Sequence, residues 1–255
     1  MFKRSLTALA AGLLASTASA QTTFDIDLFS ISFSPNSLTV APGDSVVWTW
    51  QTGLHNVYTY DPNGAPDTPD GTFVSGFPIN SPGLTYVTTF DDATLDANPR
   101  PGYVYDFACV VHIGFGMFAQ VDVERPLEAD AIEVSLVTGG TVNFDLQAGA
   151  AHAGELYFML GSLSGTAPGT PFGGQIVPLN VDGYSLDLLA APGAIISGQL
   201  GFLNASGEAN ASLTVPTGLD PSLLGTTANH AYVTINPLTT AVTSASNAFP
   251  LTLGS

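Results

Sequence analysis

The sequence predicts an all-β protein, a β-sandwich followed by a second, sandwich-like β-rich domain. Three observations carry this. Short runs of β-branched, aromatic and alternating apolar residues follow one another at close spacing. Glycine and proline, 27 and 18 of 255 residues, punctuate those runs. Charged residues are only 10% of the chain, and no stretch of useful length holds a helical period.

The first twenty residues stand apart. Lys3 and Arg4 precede a short apolar run from Leu6 to Leu14, and Ala18-Ser19-Ala20 forms a small-residue cleavage site before Gln21. The run is too short to span a bilayer. It reads as an export signal, cleaved near Ala20-Gln21, and predicts a periplasmic or secreted protein with no membrane insertion. No cysteine follows the cleavage site, so no lipid anchor is expected there.

The strands are expected as follows. Phe24 to Phe33 alternates roughly apolar and polar until Ser34-Pro35-Asn36 breaks it, and Ser37 to Val40 is short and extended. Ala41-Pro42-Gly43-Asp44 is a turn, and Ser45 to Trp50 a strong strand. The Pro/Gly/Asp-rich stretch from Asp61 to Gly71 is a loop. Leu84 to Phe90, Gly102 to Cys109 and Phe115 to Glu124 complete a first domain over 21–125. Residues 126–130 read as a linker. The second domain, 131–255, has strand-like runs near 131–138, 141–146, 156–160, 195–202, 209–215 and 230–235, separated by Gly-Gly and Pro-Gly turns.

Charge restricts the partners. The formal charge of −17 becomes −19 without Lys3 and Arg4, leaving Arg100 and Arg125 as the only basic side chains besides histidine. Nucleic acid is excluded as a partner on this ground. A basic protein is favoured instead, and Asp61, Asp67, Asp70, Asp91 and Asp92 are candidates for an acidic surface that steers it.

The chemistry concentrates around the single cysteine. Cys109 is followed after two residues by His112 and after four more by Met117. One cysteine cannot close an intrachain disulfide, and in an oxidising compartment a lone thiol is exposed to damage unless a metal holds it. Thiolate, imidazole and thioether suit copper in both oxidation states, with two histidines and a cysteine in a trigonal set and a methionine on the axis. The second histidine must come from elsewhere, and His55, just past the Ser45–Trp50 strand, is the candidate. Gly114 and Gly116 let the ligand loop curl.

These residues resemble the small blue copper proteins, the cupredoxins, and among them the plastocyanin and pseudoazurin types. The resemblance covers about residues 24–124. It rests on the run from Ser34 to Asp44, on Val46-Val47-Trp48, on His55-Asn56, and on Tyr105-Asp106-Phe107-Ala108-Cys109 with its Cys-x2-His-x4-Met loop. It implies a Greek-key β-sandwich, one type 1 copper held by His55, Cys109, His112 and Met117, and single-electron transfer rather than enzymatic activity. It also implies that a redox protein, such as a basic cytochrome, docks at an apolar patch near His112, Ile113, Phe115 and Leu54. One departure is Val110-Val111, where relatives carry a polar residue or proline. A hydroxyl at 110 often meets the asparagine beside the first histidine, and valine supplies none.

Other readings are weighed against this. Multicopper oxidases and copper nitrite reductases need His-x-His or His-Cys-His pairs, and none occurs. Copper storage or delivery would favour methionine- or histidine-rich clusters, yet only Met117 and Met159 follow the signal. An adhesion or structural role rests on the second domain. There, Leu160 to Thr170 and Pro178-Leu179-Asn180 resemble a C-terminal module of secreted bacterial proteins. His152 and His230, without acidic or histidine neighbours at ligand spacing, are expected on the surface or in loops. Two sequons, Asn204-Ala205-Ser206 and Asn210-Ala211-Ser212, read as chance matches.

Overall fold

The computed structural model describes residues 21–61 and 64–255. The export signal at residues 1–20 lies outside them. The first part contains β1 (Thr23–Phe29), β2 (Ser32–Ser34), β3 (Ser37–Val40), β4 (Ser45–Trp50), β5 (Tyr58–Tyr60), β6 (Thr85–Thr89), a short helix α1 (Asp92–Ala97), β7 (Val104–Ala108) and β8 (Phe118–Val123). They form two four-stranded sheets, ordered β2-β1-β4-β6 and β3-β8-β7-β5. The β1–β4 and β3–β8 pairs are parallel and the remaining pairs antiparallel. This is a cupredoxin β-sandwich.

Alternation places the large residues between the sheets. In β4, Val46, Trp48 and Trp50 are buried, and Tyr105 and Phe107 of β7 meet them from the opposite sheet. The rings of Trp48 and Phe107 lie 4.6 Å apart. Trp48 Nε1 donates to Thr88 Oγ1 at 3.1 Å, so the indole is buried with its polar atom satisfied. The turn at 41–44 behaves as its sequence requires: Gly43 has φ +95°, and Asp44 accepts from the Ala41 N–H.

The second part contains β9 (Leu127–Ala129), β10 (Glu133–Ser135), β11 (Gly140–Gln147), β12 (Leu156–Ser162), β13 (Thr170–Phe172), β14 (Gln175–Val177), a helix α2 (Gly183–Ala190), β15 (Ile196–Ser197), β16 (Leu200–Phe202), β17 (Glu208–Val215), β18 (Thr227–Ile235), β19 (Val242–Ala245) and β20 (Phe249–Gly254). One sheet runs β10-β20-β18-β12-β16, with β19 also on β18, and another runs β15-β17-β11-β9. Phe144 of β11 meets His230 of β18 and Phe249 of β20 between them. β13 and β14 form a separate hairpin.

Two features depart from the sequence reading. Residues 127–129, expected within a linker, are strand β9, paired antiparallel with β11. Their alternation, Leu127 and Ala129 buried around Glu128, was hidden by the brevity of the run. Helix α2 occupies a region where no helix is expected. Its start is a capping box in which Asp182 accepts from the Ser185 N–H and the Ser185 hydroxyl accepts from the Asp182 N–H. Asp182-Gly183 reads as a turn in sequence, which disguised the cap.

The two parts share one apolar core. Tyr103, just before β7, packs edge-on against Phe249 at 5.6 Å. Asn247 pairs with both the N–H and the carbonyl of Leu127 at 2.9 Å, and Tyr232 donates to the Pro126 carbonyl. At the centre of this junction the Arg125 side chain is 3% exposed and bonds Asp92, Asp96 and the Tyr103 hydroxyl.

Glu128 makes the junction sensitive to pH. It stands directly across from Asp145 in the β9–β11 register. Burial, reinforced by Asp122, Asp145 and Glu124, outweighs a bond from the Arg125 N–H and raises its carboxyl to about 7. A carboxyl that titrates higher folded than unfolded contributes stability that is complete below its unfolded value and is lost as pH rises through about 7. Thermal unfolding midpoints of the wild type are therefore expected to fall more steeply between about pH 5 and pH 8 than those of Glu128→Gln. Parallel curves for the two proteins would contradict this.

Candidate metal centre

The ligand loop leaves β7 at its buried end. The His112 N–H bonds the Cys109 carbonyl at 3.0 Å, and the His112 carbonyl in turn accepts from the N–H groups of Phe115 and Met117. Gly116 takes φ +81°, closing the curl before β8. Cys109 and Met117 are fully buried, and His112 is half-buried.

His55 is brought in from the connection between β4 and β5, the strand that pairs with β7. Its backbone N–H and carbonyl both pair with Ile79, at 3.0 and 2.8 Å, and the Trp50 indole donates to the same carbonyl. The ring is fixed as well. Nε2 lies 2.6 Å from the Thr52 carbonyl, which can only accept, so Nε2 carries the proton and Nδ1 keeps its lone pair. Gly53 makes room for it: a Cβ there would fall 2.7 Å from Nε2, and its φ is +96°. Burial and the neighbouring His112, against the bond to Thr52, hold the His55 imidazole below its ordinary value and therefore neutral.

The ring nitrogens and the sulfur converge. Cys109 Sγ is 3.7 Å from His55 Nδ1 and 3.6 Å from His112 Nδ1, and the two Nδ1 atoms are 3.2 Å apart. All three ligand atoms lie within 4.8 Å of one another, and Met117 clusters with them. Two imidazoles and a cysteine sulfur are thus aimed at one small, largely dry space, the donor set of a soft to borderline cation. Copper fits this donor set, in which the sulfur ligands favour Cu(I) and the imidazoles suit Cu(II) as well. No other cluster of three His, Cys, Asp or Glu residues of this kind occurs among the described residues.

Asn56 resolves the question raised by Val110. Its Oδ1 accepts from the backbone N–H of Val110 at 3.0 Å, so no hydroxyl at 110 is needed. Its Nδ2 donates to the Gly76 carbonyl, tying the ligand loop to the long connection between β5 and β6. That connection also delivers Phe77, 95% exposed, beside the Ile79 that pairs with His55. With Leu54, Val110 and Phe115 also exposed, the copper end carries an apolar surface. Sequence reasoning found Leu54 and Phe115 but missed Phe77, which no local pattern marks.

Other expected residues are placed differently. Asp70 is paired with Arg100, Asp91 caps α1 by accepting from the Thr94 N–H, and Asp92 holds Arg125, so these candidates for the acidic surface also serve the fold, Asp91 and Asp92 from exposed positions. His230 is buried in β18, not on the surface. Its Nε2 lies 3.0 Å from the Tyr184 hydroxyl, and burial pushes it down to about 4. His152 does have an acidic neighbour, with Nδ1 2.8 Å from Glu155 Oε2. The sequon Asn204 bonds Ser206 and Glu208 with its own side chain, and Asn210 bonds Asp145.

The sandwich and its His-Cys-His-Met set define a cupredoxin with a type 1 copper site. Residues 20–124 match the model of the copper binding proteins of the plastocyanin/azurin family, and this segment is a plastocyanin/azurin-family cupredoxin domain. The chloroplastic plastocyanin of Tetradesmus obliquus is 30% identical over 93 residues, 36% of this chain and 58% of that protein. The chain thus spans somewhat more than half the length of that relative. The plastocyanin of Rumex obtusifolius is 29% identical over 97 residues, 37% of this chain and 89% of that protein. Among solved structures, a purple cupredoxin from Nitrosopumilus maritimus aligns with 24% identity and a TM-score of 0.31, covering 40% of this chain and 99% of that one. The C-terminal region carries no family assignment.

Alanine at position 53 tests how tightly the His55 ring is braced. Gly53→Ala would strain the left-handed turn and press on Nε2. Changes in the shell behind a ligand commonly weaken metal binding about 10- to 100-fold, and a loss of that order is expected in a competitive copper titration.

Proposed function

We propose that this protein is an exported type 1 copper protein that carries single electrons between redox partners, without enzymatic activity. The observation that carries the reading is the convergence of two Nδ1 atoms and a buried cysteine sulfur on one point. Copper bound there supplies a Cu(II)/Cu(I) couple. The protein holds His55 through Thr52, Gly53 and Trp50, so little has to move when the charge changes. Half-buried His112, with the exposed Phe115 ring beside it, offers an edge through which an electron can pass.

The partner is a redox protein that docks on that apolar surface, and the excess of acidic residues favours a basic one, such as a basic cytochrome. Export is supported by the pattern of residues 1–20, and among the described residues no helix is long and apolar enough to cross a membrane. Sequencing the N-terminus of the exported protein tests the cleavage before Gln21.

Reconstitution separates a carrier from a copper-delivery protein. The copper-loaded protein should be intensely coloured, exchange electrons rapidly and reversibly, and surrender its copper slowly to a chelator. Reduction by a basic cytochrome should slow as ionic strength rises. Rapid hand-over with slow electron exchange would favour delivery.

A further inference from the structure

The second part of the chain encloses a cavity of about 120 Å³, remote in sequence from the copper ligands. Its floor is Phe158 and Leu160 of β12, which pack with Val177 and Leu179 in a small cluster separate from the main core. The hairpin β13–β14 forms one wall and α2 the other.

Three polar residues line this space, and each has its polar atoms committed elsewhere. The Thr170 hydroxyl donates to the Leu179 carbonyl at 2.7 Å. The Ser185 hydroxyl donates to the Gly161 carbonyl at 2.6 Å. Asn180 Nδ2 donates to the carbonyls of Ser164 and Ala167, and its Oδ1 accepts from the Gly169 N–H. The same bonds brace the walls: Ser185 pins α2 to β12, and Asn180 fixes the loop leading into the hairpin. The result is a framed space with no hydrogen bond to offer a guest.

Such a space disfavours water, which needs two or more polar partners. Apolar cavities of about 150 Å³ stay dry and accept a benzene-sized guest. The rim is apolar too, with Phe172, Val181 and Leu189 about half exposed. Residues 126–255 contain no lysine or arginine, so nothing at the mouth would hold an anionic head group.

We propose that this cavity is a binding site for an uncharged molecule that presents a single apolar ring or an alkyl group of that size. It is a second site, built independently of the copper centre.

Toluene and benzoate are suitable probes because they share a ring and differ in charge. In NMR titrations of the full chain, toluene should cause saturable shifts at Phe158, Leu160 and Leu189, with benzoate at least about tenfold weaker. Val181→Trp, at an exposed rim position, should abolish the shifts while leaving the unfolding midpoint unchanged. Leu160→Phe, which fills the space from its floor, should abolish them as well. The proposal is overturned if toluene causes no saturable shift, if benzoate binds equally, or if toluene binds both folded variants as it binds the wild type.

Discussion

Cys109→Ser is expected to remove the visible absorption of the copper-loaded protein entirely. The colour of such a site comes from charge transfer out of the cysteine sulfur, and the chain has no second cysteine to replace it. The fold should survive. Cys109 is fully buried but forms no disulfide, and its sulfur bonds only to the two imidazole Nδ1 atoms among the described residues. Serine fits the space, and a hydroxyl beside two ring nitrogens can find a hydrogen bond. The copper-free variant should therefore unfold within about 1–2 kcal/mol of the wild type. It should still bind Cu(II) weakly through His55 and His112, with the broad, pale spectrum of nitrogen and oxygen ligands. A strongly coloured serine variant would place the chromophore elsewhere and defeat the site assignment.

The second large effect is expected at the junction, and it is asymmetric. Arg125 is buried while its carboxylate partners Asp92 and Asp96 are exposed, at 76% and 60%. Neutralising both carboxylates in Asp92→Asn/Asp96→Asn strands a guanidinium whose remaining support is the Tyr103 hydroxyl and ring. An uncompensated buried charge of this kind costs about 3 kcal/mol or more. Arg125→Met removes the cation instead and leaves the two carboxylates in water. Its cost should be about 1 kcal/mol, mainly for the Tyr103 hydroxyl. Chemical denaturation of the two variants measures the difference. Equal losses would contradict the asymmetry. Tyr103 adds to the interest of this site because it holds φ +49°, an unfavourable backbone for a bulky residue, in the strand-entry turn that Arg125 covers.

The two halves of the molecule were unequally legible. The Cys109, His112 and Met117 positions could be read because a nine-residue loop fixes their separation whatever surrounds it. His55 could be read because β4 ends just before it, and strand ends meet at the edge of a sandwich. Asn56 could not be resolved: its partners, the Val110 N–H and the Gly76 carbonyl, are backbone groups, and backbone groups leave no trace in residue identity. Phe77 was invisible for a similar reason, since exposure at the tip of a long connection depends on how that connection is anchored. Beyond residue 125 no ligand pattern constrained the reading. Leu127–Ala129 is too short for its alternation to register, Asp182-Gly183 passes for a turn, and His230 looks like any histidine until β11 and β20 close over it.

Both arginines of the described chain are followed by proline, at Pro101 and Pro126, and both are bound to aspartates. Proteases that cut after a basic residue act poorly when proline supplies the next nitrogen, because its ring fixes the backbone and removes the N–H. From Gln21 onward the chain has no lysine. A trypsin-like enzyme therefore meets a protein without a usable cleavage bond even after it has been unfolded. Resistance to such digestion would report composition rather than stability, and fragments for mass mapping would have to come from cleavage at acidic or aromatic residues.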